Sequence, residues 1–583
     1  MTVGSTVTGP PIQRPGTELF IGLIGAVGTD LGKVVQVLSK SLASVGYSTV
    51  RVSTRKGEEG EPPNNIRLAK LMHRIKKYKS LPNSPVDEYI NSHMTAGDDL
   101  RKQTGRDDAL AILAIEDIVE ERIDAKEKGL LVEGVIPRRA YVLQSLKNPE
   151  ESKTLREVYG DGFLLLGAYS PHDTRRDYLA RRIAESKSDL PVETHLPKAE
   201  ELIQRDQEEP GISHGQNVRG IFHRADVFVD ASDNESLGQS VSRFVELLFG
   251  NTFHTPTKDE YGMFHAQAAA LRSAEPGRQV GAAVATPQGD IVAVGVNEVP
   301  SAEGGLYWCG DDPDGREFNW AQQSGNDCVE SNHKQIRNLI TDTLKHLKSS
   351  GWLEASKSAL TSQALVDLAL SGEKPLSGIP RETFEKVIDY LKQEQWLDAE
   401  RAKMELPQLV DRALNRTSPA IPKSAQIRNL IEFGRAVHAE MAALIDAARR
   451  GVSVSGCTMY VTTFPCHLCA RHIVAAGIRR LVYIEPYAKS RTADLYLDSI
   501  AIEQKPCGKV QFEPFVGIAP RQYMKLFSMG PRMSDGRILL FDPAKAEPRC
   551  SGHPRVYIEN EDELVGILDN LLVARGLKEA KKP

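Results

Sequence analysis

Hydrophobic positions first gather in a short apolar run at 19–23, which enters the Gly-rich turn GAVGTDLGK. Val34, Val35, Val37, Leu38 and Leu42 then recur at helical spacing, and STVRVS follows. This order of strand, loop, helix and strand opens a parallel α/β domain. GLLVEGV (129–135), DGFLLLGAY (161–169) and ADVFVDAS (225–232) read as further strands, with charged helical stretches at 107–126 and 173–185 between them. Strands alternating with helices predict one doubly wound domain.

Near Asp259 the pattern changes. DEYGMFHAQAAALRSA reads as a helix, and QVGAAVATPQGDIVAVGVN as two alternating apolar runs around a turn, a β-hairpin. WCGDDPDGREFNW is loop-like, and charged helices follow, with Phe384, Val387, Ile388 and Leu391 at i, i+3, i+4, i+7. HAEMAALIDAARRG then predicts a helix capped at Gly451, CTMYVTT a strand, a helix starting at Pro465, and RRLVYIEPY a strand. Together they describe a small α/β/α layer.

The expected division is a disordered N-terminus (1–17), a doubly wound α/β domain (18–250), an α/β/α domain (255–550) interrupted by a helical insertion (301–432), and a C-terminal extension (551–583). The 583 residues are 40% hydrophobic and 26% charged, with net charge −5, which gives no global pull toward nucleic acid or anionic membrane. No apolar run is long enough to span a bilayer. Seven cysteines, an odd count, and no apolar leader fit a reducing cytoplasm, where a Cys-x-x-Cys more often binds metal than forms a disulfide.

TTFPCHLCARH (462–472) carries four potential ligands, Cys466, His467, Cys469 and His472. On a helix starting near Cys466, the two cysteines share the first turn, while His467 points elsewhere and His472 lies too far along the axis. The helix N-terminus also favours thiolates. The two histidines are expected to be exposed. His438-Ala439-Glu440 opens the preceding helix, completing the H-x-E…P-C-x-x-C arrangement of zinc-dependent nucleobase deaminases. His438, Cys466 and Cys469 would hold one catalytic zinc and leave its fourth position to water, and Glu440 would move protons. A structural knuckle using His467 or His472 would leave Glu440 unexplained.

Residues 259–300 and 435–487 resemble the deoxycytidylate deaminase branch of the cytidine deaminase superfamily. The likeness is carried by RSAEPGRQVGAAVATPQGDIVAVGVNEVPS, His438-Ala439-Glu440 and Pro465-Cys466-x-x-Cys469. It implies a deoxycytidine nucleotide substrate, dCMP or dCTP, with Asn297 of the turn Gly295-Val296-Asn297-Glu298-Val299-Pro300 bonding a sugar hydroxyl. The expected substrate contacts are Asn297, Ala439, Phe464, Tyr487 and Lys489. Lys489, Ser490 and Arg491 would meet phosphate or form a solvated charge cluster, and Phe464 and Tyr487 would flank the base or serve as core. Met441-Ala442-Ala443 is apolar where the family often has a polar residue, and the insertion is absent from its minimal members. Cys309, Cys328 and His333, with Cys550 or His553, would make a second, structural zinc site or remain free thiols and imidazoles.

GAVGTDLGKV departs from Gly-x4-Gly-Lys-[Ser/Thr], with Val at residue 27 for the first Gly and at 34 for the Mg²⁺-binding hydroxyl. The strand ADVFVDAS and the basic run Arg175-Arg176…Arg181-Arg182 resemble small nucleotide kinases, where arginines sit in a lid, so 18–250 is expected to be a P-loop kinase-like domain. Gly25, Gly28, Gly32 and Lys33 would bind nucleotide without magnesium-dependent phosphoryl transfer, or serve a structural or regulatory role. This domain order resembles the bacterial anti-phage deoxycytidylate deaminases. That resemblance implies depletion of deoxycytidine nucleotides during infection, a homo-oligomer, and restraint by a regulatory RNA or nucleotide. An RNA or single-stranded DNA editor, or a zinc-stabilised nucleotide sensor without turnover, are the competing expectations.

Overall fold

The computed structural model describes residues 17–49, 65–189, 191–207, 214–302, 304–323, 328–349, 430–487, 490–503, 508–528, 530–550 and 552–579. Phe384, Val387, Ile388, Leu391, Lys489 and Cys507 lie outside them, as does most of STVRVS. The chain divides into two units, the first made of Met1–Ala269, Gly281–Val294 and Ala443–Pro583, the second of Ala270–Val280 and Gly295–Ala442.

The first unit holds two mixed sheets. One contains β1 (Leu19–Ile24), β2 (Asn65–Arg67), β3 (Ala140–Gln144), β4 (Phe163–Tyr169) and β5 (Val227–Asp230), parallel in the order β5-β4-β1-β3-β2. Every residue of β1 is buried, as expected of a strand covered on both faces. Leu19, Ile21 and Leu23 enter one apolar core, while Phe20 and Ile24 enter the other. Burying each such side chain contributes about 1.5–3 kcal/mol.

GLLVEGV, expected as a strand, is instead an irregular turn after helix Ala109–Glu127. Positive φ values at Gly129, Glu133 and Gly134 break the extended backbone, and Leu130 and Val132 are exposed. The strand neighbouring β1 is the wholly buried AYVLQ of β3. In the described part of STVRVS, Ser48 makes a single parallel bridge to Arg139.

The second sheet contains β6 (Gly281–Ala285), β7 (Ile291–Val296), β8 (Thr458–Thr463), β9 (Arg480–Glu485), β10 (Ile500–Ile502) and β11 (Val510–Pro514), in the order β10-β11-β9-β8-β6-β7. Helix Lys258–Ala270 crosses β8 at Gly262, where an added Cβ would lie 2.2 Å from the Tyr460 ring. Asp259 of this helix accepts from Tyr460 Oη at 2.9 Å and pairs with Arg480, at 2.7 and 2.9 Å. These bonds fix the helix over the strands that end at the candidate site.

The two sheets of this unit are joined through late segments of the chain. β12 (Gly517–Ile518) pairs antiparallel with β5. The buried Glu260 carboxylate accepts from Ile518 N at 2.8 Å and from both terminal nitrogens of Arg243 at 2.7 Å. Helix Pro554–Ala574 packs on helices Ala109–Glu127 and Pro149–Tyr159. Beneath it, buried Arg122 sits between Glu18, at 2.8 Å, and Glu561, and Tyr557 donates to Glu18 at 3.0 Å.

The second unit has described helices at Glu317–Gln323 and Ser331–Ser349, the first starting inside the stretch expected as loop. Glu317 accepts from Ser331 N and Arg435, and Arg435 lies over Trp320 at 4.5 Å. Val437 N donates to Glu298 O at 3.0 Å, which sets the chain's approach to His438. The unit boundary passes through two continuous elements, β7 and helix Ala439–Arg449. No helix among the described residues is long and apolar enough to cross a membrane.

Removing one partner of a buried ion pair leaves an uncompensated charge, which costs about 3–5 kcal/mol, against about 0–1 kcal/mol at the surface. Arg122→Met, which leaves Glu18 and Glu561 buried without their shared cation, is therefore expected to lower the urea unfolding midpoint of the unit containing them. Glu547→Ala, in the half-exposed pair with Arg138, should barely move it. Equal shifts would show that the buried triad does not anchor the C-terminal helix.

Candidate metal centre and active site

β8 ends at Thr463, and Phe464 N extends its pairing by donating to Glu485 O at 2.7 Å. Pro465 follows, and Cys466 takes the N-cap of helix His467–Ala475, with Ala470 N donating back to Cys466 O at 2.9 Å. Cys469 lies in the first turn. His438 stands immediately before helix Ala439–Arg449, so two of the three candidate ligands occupy helix starts. At its other end this helix closes as expected at Gly451, with φ +69, whose N–H bonds Ala448 O while Val452 N–H bonds Ala447 O.

The ligand atoms of His438, Cys466 and Cys469 all lie within 4.8 Å of one another. Ideal zinc–sulfur and zinc–nitrogen bonds give tetrahedral edges of about 3.3–3.8 Å, so a small contraction closes the set on a metal. Two thiolates and an imidazole suit zinc in particular. The cysteines are buried and His438 is half-buried, so the centre is shielded on its sulfur side. The free N–H groups at the start of helix His467–Ala475 stabilise negative sulfur.

This is the only three-ligand group among the described residues. It does not include His467, which is half-buried rather than exposed, or His472, which is exposed as expected. Nor does it include Cys309, Cys328, His333, Cys550 or His553; Cys309 and Cys328 are exposed, and Cys550 belongs to the apolar core. Glu440, two residues beyond His438 in the first helical turn, is 4% exposed and is not a member of the ligand group.

The expected substrate contacts fall in varied surroundings. Asn297 is buried; its Oδ1 accepts from Val280 N at 2.7 Å and its Nδ2 donates to Arg278 O at 2.8 Å. An amide has two donors and two acceptor sites, so one of each remains. Ala439 is buried. Phe464 meets Tyr483 and Phe512 edge-on, at centroid distances of 4.9 and 5.7 Å. Tyr487 is half-buried, while Ser490 Oγ donates to Pro465 O at 2.8 Å and exposed Arg491 pairs with Asp494. Ser490 thus fastens Pro465, the neighbour of the candidate ligand Cys466.

Two groups without a local sequence signal also bear on the site. Burial, followed by the negative charges of Glu330, Glu317 and Glu298, pushes the Glu275 carboxyl up to about 7, with His438 opposing the shift. These acids are spread from 275 to 330 in the chain, so no short motif joins them. Tyr483, whose ring supports Phe464, donates to Glu503 at 3.0 Å, and Glu503 has φ +54. A non-glycine residue held in that region stores backbone strain.

Residues 400–485 match the family model described as cytidine and deoxycytidylate deaminase zinc-binding region. A 78-residue stretch is 44% identical to the deoxycytidylate deaminase of Enterobacteria phage T2, covering 13% of this chain and 42% of the relative. A 55-residue stretch is 51% identical to the deoxycytidylate deaminase of Enterobacteria phage T4, covering 9% and 28%. The chain thus spans less than half the length of either relative. The crystal structure of a dCMP deaminase from cyanophage S-TIM5 with dCMP and dUMP aligns at 15% identity and a TM-score of 0.20, over 45% of this chain and all of that one. The match to the family model takes in His438, Glu440, Cys466 and Cys469 together.

Proposed function

We propose that this chain is a zinc-dependent deaminase converting deoxycytidine nucleotides, dCMP, dCTP or both, to deoxyuridine nucleotides and ammonia. The observation that carries the reading is the convergence of His438, Cys466 and Cys469 with a buried, non-ligating Glu440 two residues from one of them. Similarity of this region to named deoxycytidylate deaminases supports the choice of substrate.

With His438, Cys466 and Cys469 as ligands, zinc would supply a Lewis acid whose fourth position brings a water's pKa toward neutrality. Glu440 accepts a proton from the attacking water and passes it to N3 of the cytosine ring as the oxygen–C4 bond forms. The second water proton travels by the same carboxyl to the exocyclic nitrogen, the C4–N bond breaks, and ammonia leaves. Asn297 offers its remaining amide valences to a sugar hydroxyl. Phe464, braced by Tyr483 and Phe512, gives the base a wall. Tyr487 and Lys489 complete the proposed contacts.

The wider proposal follows the resemblance in domain order. A homo-oligomer of this enzyme would deplete deoxycytidine nucleotides during phage infection, under restraint by an RNA or a nucleotide.

Ammonia release should be assayed side by side on dCMP, dCTP, cytidine and a cytosine-containing oligonucleotide. Release from a free deoxynucleotide is expected; release from the oligonucleotide alone would replace this reading with an editor. Glu440→Gln should cut kcat by about 10²–10⁴-fold while zinc content is unchanged, and undiminished turnover would remove Glu440 from the mechanism. Chelation should abolish activity and added zinc restore it. Cys469→Ser should lose zinc and activity together, and retention of both would exclude it as a ligand.

A further inference from the structure

The Gly-rich loop after β1 already holds an anion, and the anion comes from the chain itself. Val27 N–H donates to Asp206 Oδ2 at 2.7 Å, in the loop where a phosphate-binding glycine loop presents its amides. Asp206 is wholly buried near the end of helix Leu196–Gln207, 179 residues away in sequence. Its counter-ion is Lys147, 2.9 Å from Oδ1, and the same ammonium donates to Gly25 O at 3.0 Å. Asp30 fills the start of the following helix by accepting from Lys33 N at 3.1 Å. Lys33 Nζ is turned to Ala231 O, at 3.3 Å.

The element carrying Asp206 is a two-helix lid tied to helix Val86–Thr104, through Arg205 to Asn91 and Asp98 and Lys187 to Asp87, with Val86 and Ile90 packed against it. Helices His172–Lys187 and Leu196–Gln207 share a small core of Leu179, Ala180, Ile183, Ala199, Leu202 and Ile203, separate from the two large cores of the unit. Val27 packs against that small core. Arg175 donates to Ser170 O and Val27 O, and its own carbonyl approaches so closely that a Cβ at Gly28 would lie 2.5 Å from it. Gly28, with φ +90, is therefore required by both backbone conformation and space.

A buried carboxylate costs several kcal/mol unless fully paired; Asp206 Oδ2 accepts from Val27 N and from Lys147 Nζ, at 3.2 Å, while Oδ1 faces the same ammonium without a hydrogen bond, and a phosphate would use that amide and ammonium too. Both anions cannot occupy the loop, because like charges at such range repel strongly. We propose that Asp206 is an internal phosphate mimic that latches the lid onto the Gly-rich loop, and that a polyphosphate anion, free or as a nucleotide, binds there only by displacing it. Lys147 then passes from Asp206 to the ligand, and the lid rotates off Val27. The loop is a closed state of a two-state element, whose ligand affinity is reduced by the rarity of the open form. This proposal is independent of the deaminase reading, since its readout is binding at the other sheet.

The test is equilibrium binding of ATP and of inorganic pyrophosphate to the full chain, both chosen because neither carries a cytosine ring. Asp206→Asn should tighten binding about tenfold or more over wild type, and adding Lys147→Met should remove the gain. Equal binding by wild type and Asp206→Asn overturns the proposal, as does a gain that survives loss of Lys147. Tighter binding of ATP than of pyrophosphate assigns the site to a nucleotide; equal binding assigns it to the polyphosphate alone. In wild type, saturating ATP should speed hydrogen exchange in helix Leu196–Gln207. Unchanged or slowed exchange overturns the displacement step without depending on any variant.

Discussion

A candidate metal ligand set constrains a fold more severely than most contacts, because three side chains must reach one point from two elements. Here that point lies at the start of two helices. Cys466 takes an N-cap where a carboxylate or hydroxyl would ordinarily stand, and its thiolate would receive the positive end of the helix. The second sheet is arranged around this requirement. β8 delivers the turn, Ser490 ties Pro465 from behind, and the Asp259–Arg480 pair fixes the helix that lies across the strand. Glu440 then needs no further device to reach its place, since two residues of helix separate it from His438.

The legible parts of this chain are those in which chemistry acts over short spans. Cys466 and Cys469 must share one helical turn, and Glu440 must follow His438 closely, so the candidate centre could be read from residue spacing. β1 and β4 were legible because strands buried on both faces become unbroken apolar runs. The same rule misread GLLVEGV, where Gly129 and Gly134 turn the chain and β3 supplies the strand instead.

Contacts between distant residues left no pattern to read. In the Glu18–Arg122–Glu561 triad, Arg122 and Glu561 are 439 residues apart, and β12 extends a sheet whose other strands lie hundreds of residues earlier. The Asp206–Val27 contact is of this kind, and it changes the meaning of a motif that was legible. Gly25, Gly28, Gly32 and Lys33 look like an incomplete phosphate site in sequence. In the structure Asp206 accepts from the Val27 amide there, and Lys147 donates to Gly25 O. The Asn297 amide is similar: its turn was legible, but its engagement with Arg278 and Val280 was not.

The proposed deamination requires water to attack the pyrimidine ring at C4. Turnover of dCMP or dCTP in heavy-oxygen water, with the product analysed by mass spectrometry, tests that step directly. The expected product is a deoxyuridine nucleotide carrying a single heavy oxygen on its base and none in its phosphates. A label found in phosphate, with the cytosine ring intact, would contradict the account and make the centre a phosphohydrolase.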